Sequence, residues 1–176
     1  MKHLFLTGEK QVGKSMLLRK WLDRIDADIS GFYTRKHMSD DGHLYVHMLA
    51  AGGGDIPSRD NILFECRSRH FTAASERFNR LGCSMLRPTP DTKLIIMDEI
   101  GVMEEKADQF CEAVLNTLDG TIPVIGVLRK ESSDPPIIHS IKSHPDVHII
   151  EVTKENRDEL ALNLPEILLP YSHHFR

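Results

Sequence analysis

Residues 4–18 read LFLTGEKQVGKSMLL: an apolar run, a loop bracketed by Gly8 and Gly13 that closes on Lys14 and Ser15, and a second apolar run. The first run, Lys2 to Thr7, reads as a strand. The second, Lys14 to Ile25, spaces Met16, Leu17, Leu18, Trp21, Leu22 and Ile25 as the apolar stripe of a helix. A chain that ends a strand, exposes its backbone and starts a helix in so few residues satisfies G-x-x-x-x-G-K-[ST] in the setting that gives this motif its meaning. Gly8 and Gly13 carry no Cβ, so successive backbone N–H groups can curl around phosphate oxygens. The free N–H groups at the helix start add the positive end of its dipole. Lys14 would reach the β and γ phosphates of a nucleotide, and Ser15 would offer its hydroxyl to Mg²⁺. The candidate phosphate-binding segment is Gly8, Glu9, Lys10, Gln11, Val12, Gly13, Lys14, Ser15 and the adjoining Met16.

Outward from this loop the chain alternates strands and helices. Ile29 to Met38 and Leu44 to Ala51 flank Ser39-Asp40-Asp41-Gly42, whose Asp-Gly pair favours a hairpin turn, so these two strands are expected to be antiparallel. Gly52-Gly53-Gly54 and Pro57 predict a mobile loop before a short strand near Ile62 to Cys66. Thr72 to Leu86 predicts a helix ended by Pro88 and Pro90, with Phe78, Leu81, Met85 and Leu86 inward. Lys93 to Met97 then predicts a buried strand that stops at acids, and Ala107 to Leu118 an amphipathic helix closed by Asp119-Gly120. Ile122 to Leu128 is a near-continuous apolar strand of the kind parallel sheets bury on both faces. A short helix from Pro136 to Lys142, a strand from Val147 to Val152 and a helix from Lys154 to Leu164 complete the series. Thr153 is the expected N-cap of that last helix, with Asn156 in place of the capping-box acid. Buried strands alternating with helices predict an α/β fold: a mostly parallel sheet between helices, with an antiparallel hairpin inserted after the first helix.

An acid at the tip of a second buried strand would complete a nucleotide site, and Leu94-Ile95-Ile96-Met97-Asp98-Glu99 supplies it. The apolar run carries Asp98 to the carboxyl edge of the sheet, where ligands of open α/β sheets bind. Asp98 is the candidate metal ligand beside Ser15. Glu99 is the candidate general base for a water attacking the γ phosphate, and Lys14 is the candidate catalytic cation. Arg129 or Lys130, at the end of the Ile122–Leu128 strand, either neutralises charge on the transferring phosphoryl group or is a solvated loop cation.

Asp98-Glu99-Ile100-Gly101-Val102-Met103-Glu104 resembles the D-E-I-G-x-M-E signature of a small P-loop nucleoside-triphosphatase family found in bacteria, archaea and animals, the cancer-related nucleoside triphosphatase-like proteins. Gly31-Phe32-Tyr33-Thr34 is similar to its G-F-x-T, Asp41-Gly42 to its hairpin turn, and Phe110 to the phenylalanine of the next helix. Val152-Thr153-Lys154-Glu155-Asn156-Arg157 is similar to its closing V-T-x-x-N-R. The resemblance implies a RecA-like P-loop core and Mg²⁺-dependent hydrolysis of ATP, GTP and other nucleoside triphosphates to diphosphate and phosphate. Carried over by position, Gly8 to Ser15 bind phosphate, Asp98 binds the metal and Glu99 activates water. Glu104 either supports the metal site from behind or is an exposed acid at a helix start. Arg157 either lies over the base or pairs with Glu159 or Glu155. The chain departs from the family at Glu9-Lys10-Gln11, where a Gly-Pro-Gly-like opening is usual, and at Ser15, where threonine is usual. Residues 44–71 lack the family's R-x-G-F and G-x-Y pieces.

The 176 residues and 20.0 kDa suit a single domain spanning 1–176, with ordinary fractions of 40% hydrophobic and 27% charged residues. A net charge of −4 and a pI near 6.2 offer no general attraction for a polyanion, so a phosphate ligand must be held by local geometry and nucleic acid is not expected as a partner. No run approaches the ~20 apolar residues of a membrane span, and no cleavable leader is evident, so the expected location is the cytoplasm. Cys66, Cys83 and Cys111 show no paired spacing and are expected to be reduced core residues. The ten histidines, with His173 and His174 in a polar tail, show no zinc-binding spacing. The alternative activities are a small P-loop kinase acting on a nucleoside or metabolite hydroxyl, and a nucleotide-dependent switch or adaptor that signals through the Gly52–Gly54 loop. Any protein partner is unspecified by the sequence.

Overall fold

A computed structural model describes residues 2–40, 42–54, 56–66, 72–101 and 106–172. Its strands are β1 (His3–Thr7), β2 (Ile29–Met38), β3 (Leu44–Ala50), β4 (Ile62–Glu65), β5 (Leu94–Ile100), β6 (Val124–Leu128) and β7 (Val147–Glu151). They form one mixed sheet in the order β4-β3-β2-β5-β6-β1-β7. The pairs β1/β6, β1/β7, β2/β5 and β5/β6 are parallel, and every residue of β1 and β6 is buried, as strands covered on both faces require. The expected hairpin forms as β2 and β3, where the Ser39 N–H donates to the His43 carbonyl and the Gly42 N–H to the Ser39 carbonyl, both at 2.9 Å. Asp41 lies outside the described residues. β2 also pairs in parallel with β5, so the hairpin and β4 are the sheet's own antiparallel edge.

The helices are α1 (Lys14–Leu22), α2 (Thr72–Arg77), α3 (Cys83–Met85), α4 (Asp108–Leu118), α5 (Pro136–Ser143) and α6 (Arg157–Leu162). Two apolar layers sandwich the sheet. Leu17, Leu18 and Trp21 of α1 pack with Leu94, Ile96, Ile125 and Val127 on one face, and Phe78, Phe110, Val114 and Ile138 pack with Ile95, Met97 and Phe32 on the other. Among the described residues no helix is long and apolar enough to cross a membrane.

Several boundaries differ from the sequence reading for identifiable reasons. α1 stops at Leu22, not Ile25, because Ile25 pairs with Ser172 and the Asp26 N–H donates to the Tyr171 carbonyl at 2.8 Å. The expected Thr72–Leu86 helix is broken by a wide π turn at Phe78–Gly82, where a Cβ on Gly82 would stand 2.2 Å from the Phe110 ring. Within that turn the Asn79 side chain accepts the Phe110 N–H at 2.9 Å, capping the first turn of α4. Helix α6 is regular only from Arg157. Its N-cap is therefore Asn156 and not the expected Thr153, although the reciprocal bonds of that pair form just before it: the Asn156 N–H donates to the Thr153 hydroxyl at 3.3 Å, and the Thr153 N–H to the Asn156 side chain at 2.8 Å. The three cysteines form no disulfide; Cys83 and Cys111 are half-buried and pack against the core as expected, whereas Cys66 is exposed just past edge strand β4. His173 and His174 lie outside the described residues.

Strand β5 does not stop at the acids; it runs on to Ile100. Its register with β6 shifts between Asp98, which faces Val127, and Ile100, which faces Leu128. Two residues there oppose one, the pattern of a bulge that re-aims side chains. Ile100 consequently packs in the same layer as Ile95 and Met97, where strict alternation would have sent it to the layer of Ile96.

Candidate active site

The loop between β1 and α1 lies over the carboxyl edge of the sheet, with β6 and β7 flanking β1. Gly8 sits at φ 139°, and a Cβ there would meet the Val152 carbonyl oxygen at 2.3 Å, so neither the backbone angle nor the space admits a side chain. Gln11 also has a positive φ, 63°, and Gly13 at φ 106° is the residue from which α1 springs. No side chain caps the start of α1, which leaves its first N–H groups facing the loop. Lys14, only 6% exposed, folds back so that its Nζ donates to the carbonyls of Gly8 at 2.8 Å and Glu9 at 3.0 Å. Burial lowers the Lys14 pKa, an effect that Glu99, Asp98 and Glu9 oppose and Arg129 reinforces.

Ser15 donates its hydroxyl to Asp98 Oδ1 at 2.8 Å, which joins the loop to the acidic strand end. Asp98 is 4% exposed, and burial pushes its carboxyl up to about 6 against the stabilising Ser15 hydrogen bond. Glu99, the residue in the bulge, lines a cleft of about 180 Å³ together with Ser15, Asp98, Thr34, Lys36, Phe78 and Arg129. A larger cavity of about 510 Å³ beside Cys83, Thr117 and Ile122 includes Ile95, near the amino end of β5, and has no acidic residue in its wall. The chemistry is therefore assigned to the smaller cleft.

The sequence candidates are thus gathered at one edge, with differences in detail. Glu9, Lys10 and Gln11 are exposed loop residues, Val12 is buried beneath the loop, and the side chain of Met16 is 65% exposed at the start of α1. Arg157 makes neither expected carboxylate pair: its guanidinium reaches the Val12 carbonyl at 3.4 Å and Asp158 at 3.8 Å, and its Cδ lies beside Gly13. Of the two cations after β6, Arg129 lines the cleft and pairs with Glu131 at 3.0 Å, whereas Lys130 binds Glu9 at 3.0 Å and Glu151 at 2.8 Å. Val102, Met103 and Glu104 lie outside the described residues.

Thr34, Lys36 and Glu151 escaped the sequence reading. For Thr34 and Lys36 the signal was the length of β2: Tyr33 pairs with Asp98, so the remaining residues of this ten-residue strand project past the acids, whereas Glu151, at the end of β7, had no local signal. Among the described residues no group of three or more His, Cys, Asp or Glu could hold a metal.

Comparison with known proteins places this arrangement. The NTPase family model matches residues 3–165. The nucleoside-triphosphatase THEP1 of Methanopyrus kandleri is 33% identical over 174 aligned residues, covering 96% of each chain. The human cancer-related nucleoside-triphosphatase is 30% identical over 184 aligned residues, covering 95% of each. The crystal structure of THEP1 from Aquifex aeolicus superposes with a TM-score of 0.70 over 95% of this chain and 99% of that one, at 24% identity, a likeness of fold. The solution structure of a human cancer-related nucleoside triphosphatase gives 0.63 at 27% identity, over 92% and 94%.

Proposed function

The chain belongs to the NTPase family and is a nucleoside-triphosphatase, a nucleotide-binding hydrolase; on that premise we propose that it cleaves ATP, GTP and other nucleoside triphosphates to diphosphate and phosphate with Mg²⁺ as cofactor, acting as a single domain in the cytoplasm. Neither nucleic acid nor a membrane has a part in this reading. The observation that carries it is the Ser15–Asp98 hydrogen bond, which ties the phosphate loop to the acids at one point.

A serine hydroxyl and a carboxylate are hard oxygen donors of the kind Mg²⁺ takes alongside nucleotide phosphates, so this pair fits the ion. When bound, the ion would supply positive charge to offset that of the phosphates. Asp98 must be ionised for that role; burial opposes its ionisation in the metal-free site, and a bound cation would favour it. The N–H groups from Gly8 to Met16 bind phosphate oxygens, with the loop's φ angles fixed by Gly8 and Gly13. The Lys14 ammonium, already held on two loop carbonyls, faces the same oxygens. Glu99 accepts the proton of the attacking water in the cleft, and Arg129, in the same cleft wall, offsets charge developing on the transferred phosphoryl group. Arg157, lying against Gly13 and Val12, bounds the loop's outer side, where the ribose and base emerge.

The test is phosphate release from ATP and GTP with Mg²⁺ and no added acceptor, in the native protein and in Glu99→Gln. The native protein should turn over, and the variant should bind nucleotide while losing about 10²–10⁴-fold in kcat. Undiminished turnover in Glu99→Gln would remove the base assignment, and product formed only on an added hydroxyl compound would show a kinase.

A further inference from the structure

We propose that Lys130 is a positioning residue of the phosphate loop: by pairing with Glu9 it cancels a carboxylate that the sequence places inside the loop, and so lets a polyanionic triphosphate settle there. The proposal rests on the assignment of Gly8–Ser15 to phosphate.

Glu9 is an awkward residue for an anion site. Its carbonyl accepts from Lys14, the cation that faces the phosphates, and its carboxylate is close enough to act on the charge of Lys14. A bound triphosphate would therefore meet a negative side chain within the loop that grips it. The structure supplies the remedy from a neighbouring strand. Lys130 follows the end of β6 and Glu151 ends β7, and β1, from which the loop springs, lies between these two strands. The Lys130 ammonium reaches Glu9 Oε1 at 3.0 Å and Glu151 Oε1 at 2.8 Å. It spans the strand tips on either side of the loop's origin and holds the Glu9 carboxylate there. Engaged by two carboxylates, Lys130 is not a free cation for the phosphoryl group, in contrast to Arg129 in the cleft wall.

All three side chains are substantially exposed, so the pairs contribute little to folding stability. Their effect lies in the local field. An unneutralised carboxylate several ångströms from a triphosphate, in the intermediate dielectric of a loop, should weaken binding about fivefold, less at high salt.

Steady-state hydrolysis of Mg-ATP at low salt tests this. Lys130→Ala should raise KM about fivefold with kcat within about twofold of the native value, and its thermal midpoint should stay close to native. Adding Glu9→Gln to that variant should bring KM back to or below the native value, and Lys130→Arg should keep KM near native. An unchanged KM in Lys130→Ala, a rise that Glu9→Gln fails to reverse, or a loss confined to kcat would overturn the proposal. Lys14→Ala, measured alongside for nucleotide binding, separates the two levels. Native-like binding in Lys14→Ala would refute the loop assignment itself. Binding lost there, with KM unmoved in Lys130→Ala, would refute the role of Lys130 alone.

Discussion

Asp98→Asn should make the metal-free protein more stable and the enzyme inactive. Burial raises the Asp98 carboxyl from 3.8 to about 6, a difference of 2.2 units that at 1.36 kcal/mol each amounts to about 3 kcal/mol held against the ionised form. Because the folded pKa lies above the unfolded one, the native chain binds more protons than the unfolded chain between these values. Stability therefore falls as pH rises from about 4 through 6, and the full cost is present above 6. The asparagine amide keeps an acceptor for the Ser15 hydroxyl, but its NH₂ needs a partner that the aspartate did not, which returns about 1–2 kcal/mol. The net gain at pH 8 is about 1–2 kcal/mol, or a rise of about 3–6 °C in Tm for a chain of this size. Thermal unfolding with a chelator, followed at pH 8, 5 and 4, should show the gain shrinking below 6, crossing zero near 5 and turning into a small loss at 4, where only the amide's missing partner is left. Phosphate release with Mg²⁺ should drop to background. A Tm at pH 8 equal to or below native, or a gain undiminished at pH 4, would refute the claim that buried charge dominates at this carboxylate.

Two further outcomes follow from contacts on either side of the loop. Gly8→Ala forces a Cβ against the Val152 carbonyl at a φ that L residues rarely adopt, so Tm should fall by at least about 4 °C and nucleotide binding should be lost with it. Trp21→Phe removes the indole N–H that donates to the Leu160 carbonyl at 2.8 Å and leaves that acceptor unpaired. Denaturant unfolding should report a loss of about 1–3 kcal/mol while the KM for nucleotide stays native, because the bond joins α1 to α6 away from the phosphate side.

The parts of this fold written in contiguous residues were legible before any coordinates. The Gly8–Ser15 loop, the apolar strands, the β2–β3 hairpin and the reciprocal Thr153–Asn156 hydrogen bonds all depend on neighbours within a few positions, and each appears where those neighbours put it. What the chain hid depends on partners distant in sequence. The π turn at Phe78–Gly82 packs against Phe110, which takes the space a side chain on Gly82 would need. The bulge at Glu99 exists only in the register of β5 against β6. Arg129 and Lys130 are indistinguishable as adjacent loop cations. Only the order β6-β1-β7 reveals that Lys130 stands between Glu151 and Glu9 while Arg129 lines the cleft. Cysteine composition likewise misled, because nothing local to Cys66 announces that it follows an edge strand.

Strand alternation, which holds as far as Glu99, keeps the two adjacent acids from duplicating each other. On a regular strand consecutive side chains point to opposite faces. Asp98 continues the row of Leu94 and Ile96, beneath α1, and there it meets the Ser15 hydroxyl at the start of that helix. Glu99 continues the row of Ile95 and Met97, on the side of Phe78, and there it lines the cleft that Thr34 and Lys36 of the overlong β2 help to wall. One carboxylate is therefore buried against a hydroxyl, suited to share a cation with it. The other borders a cleft of about 180 Å³, suited to hold a water molecule and take its proton. An unbulged strand would have sent Ile100 into the layer of α1, directly after the buried acid. The extra residue instead returns Ile100 to the opposite core, so β5 closes apolar behind the two carboxylates.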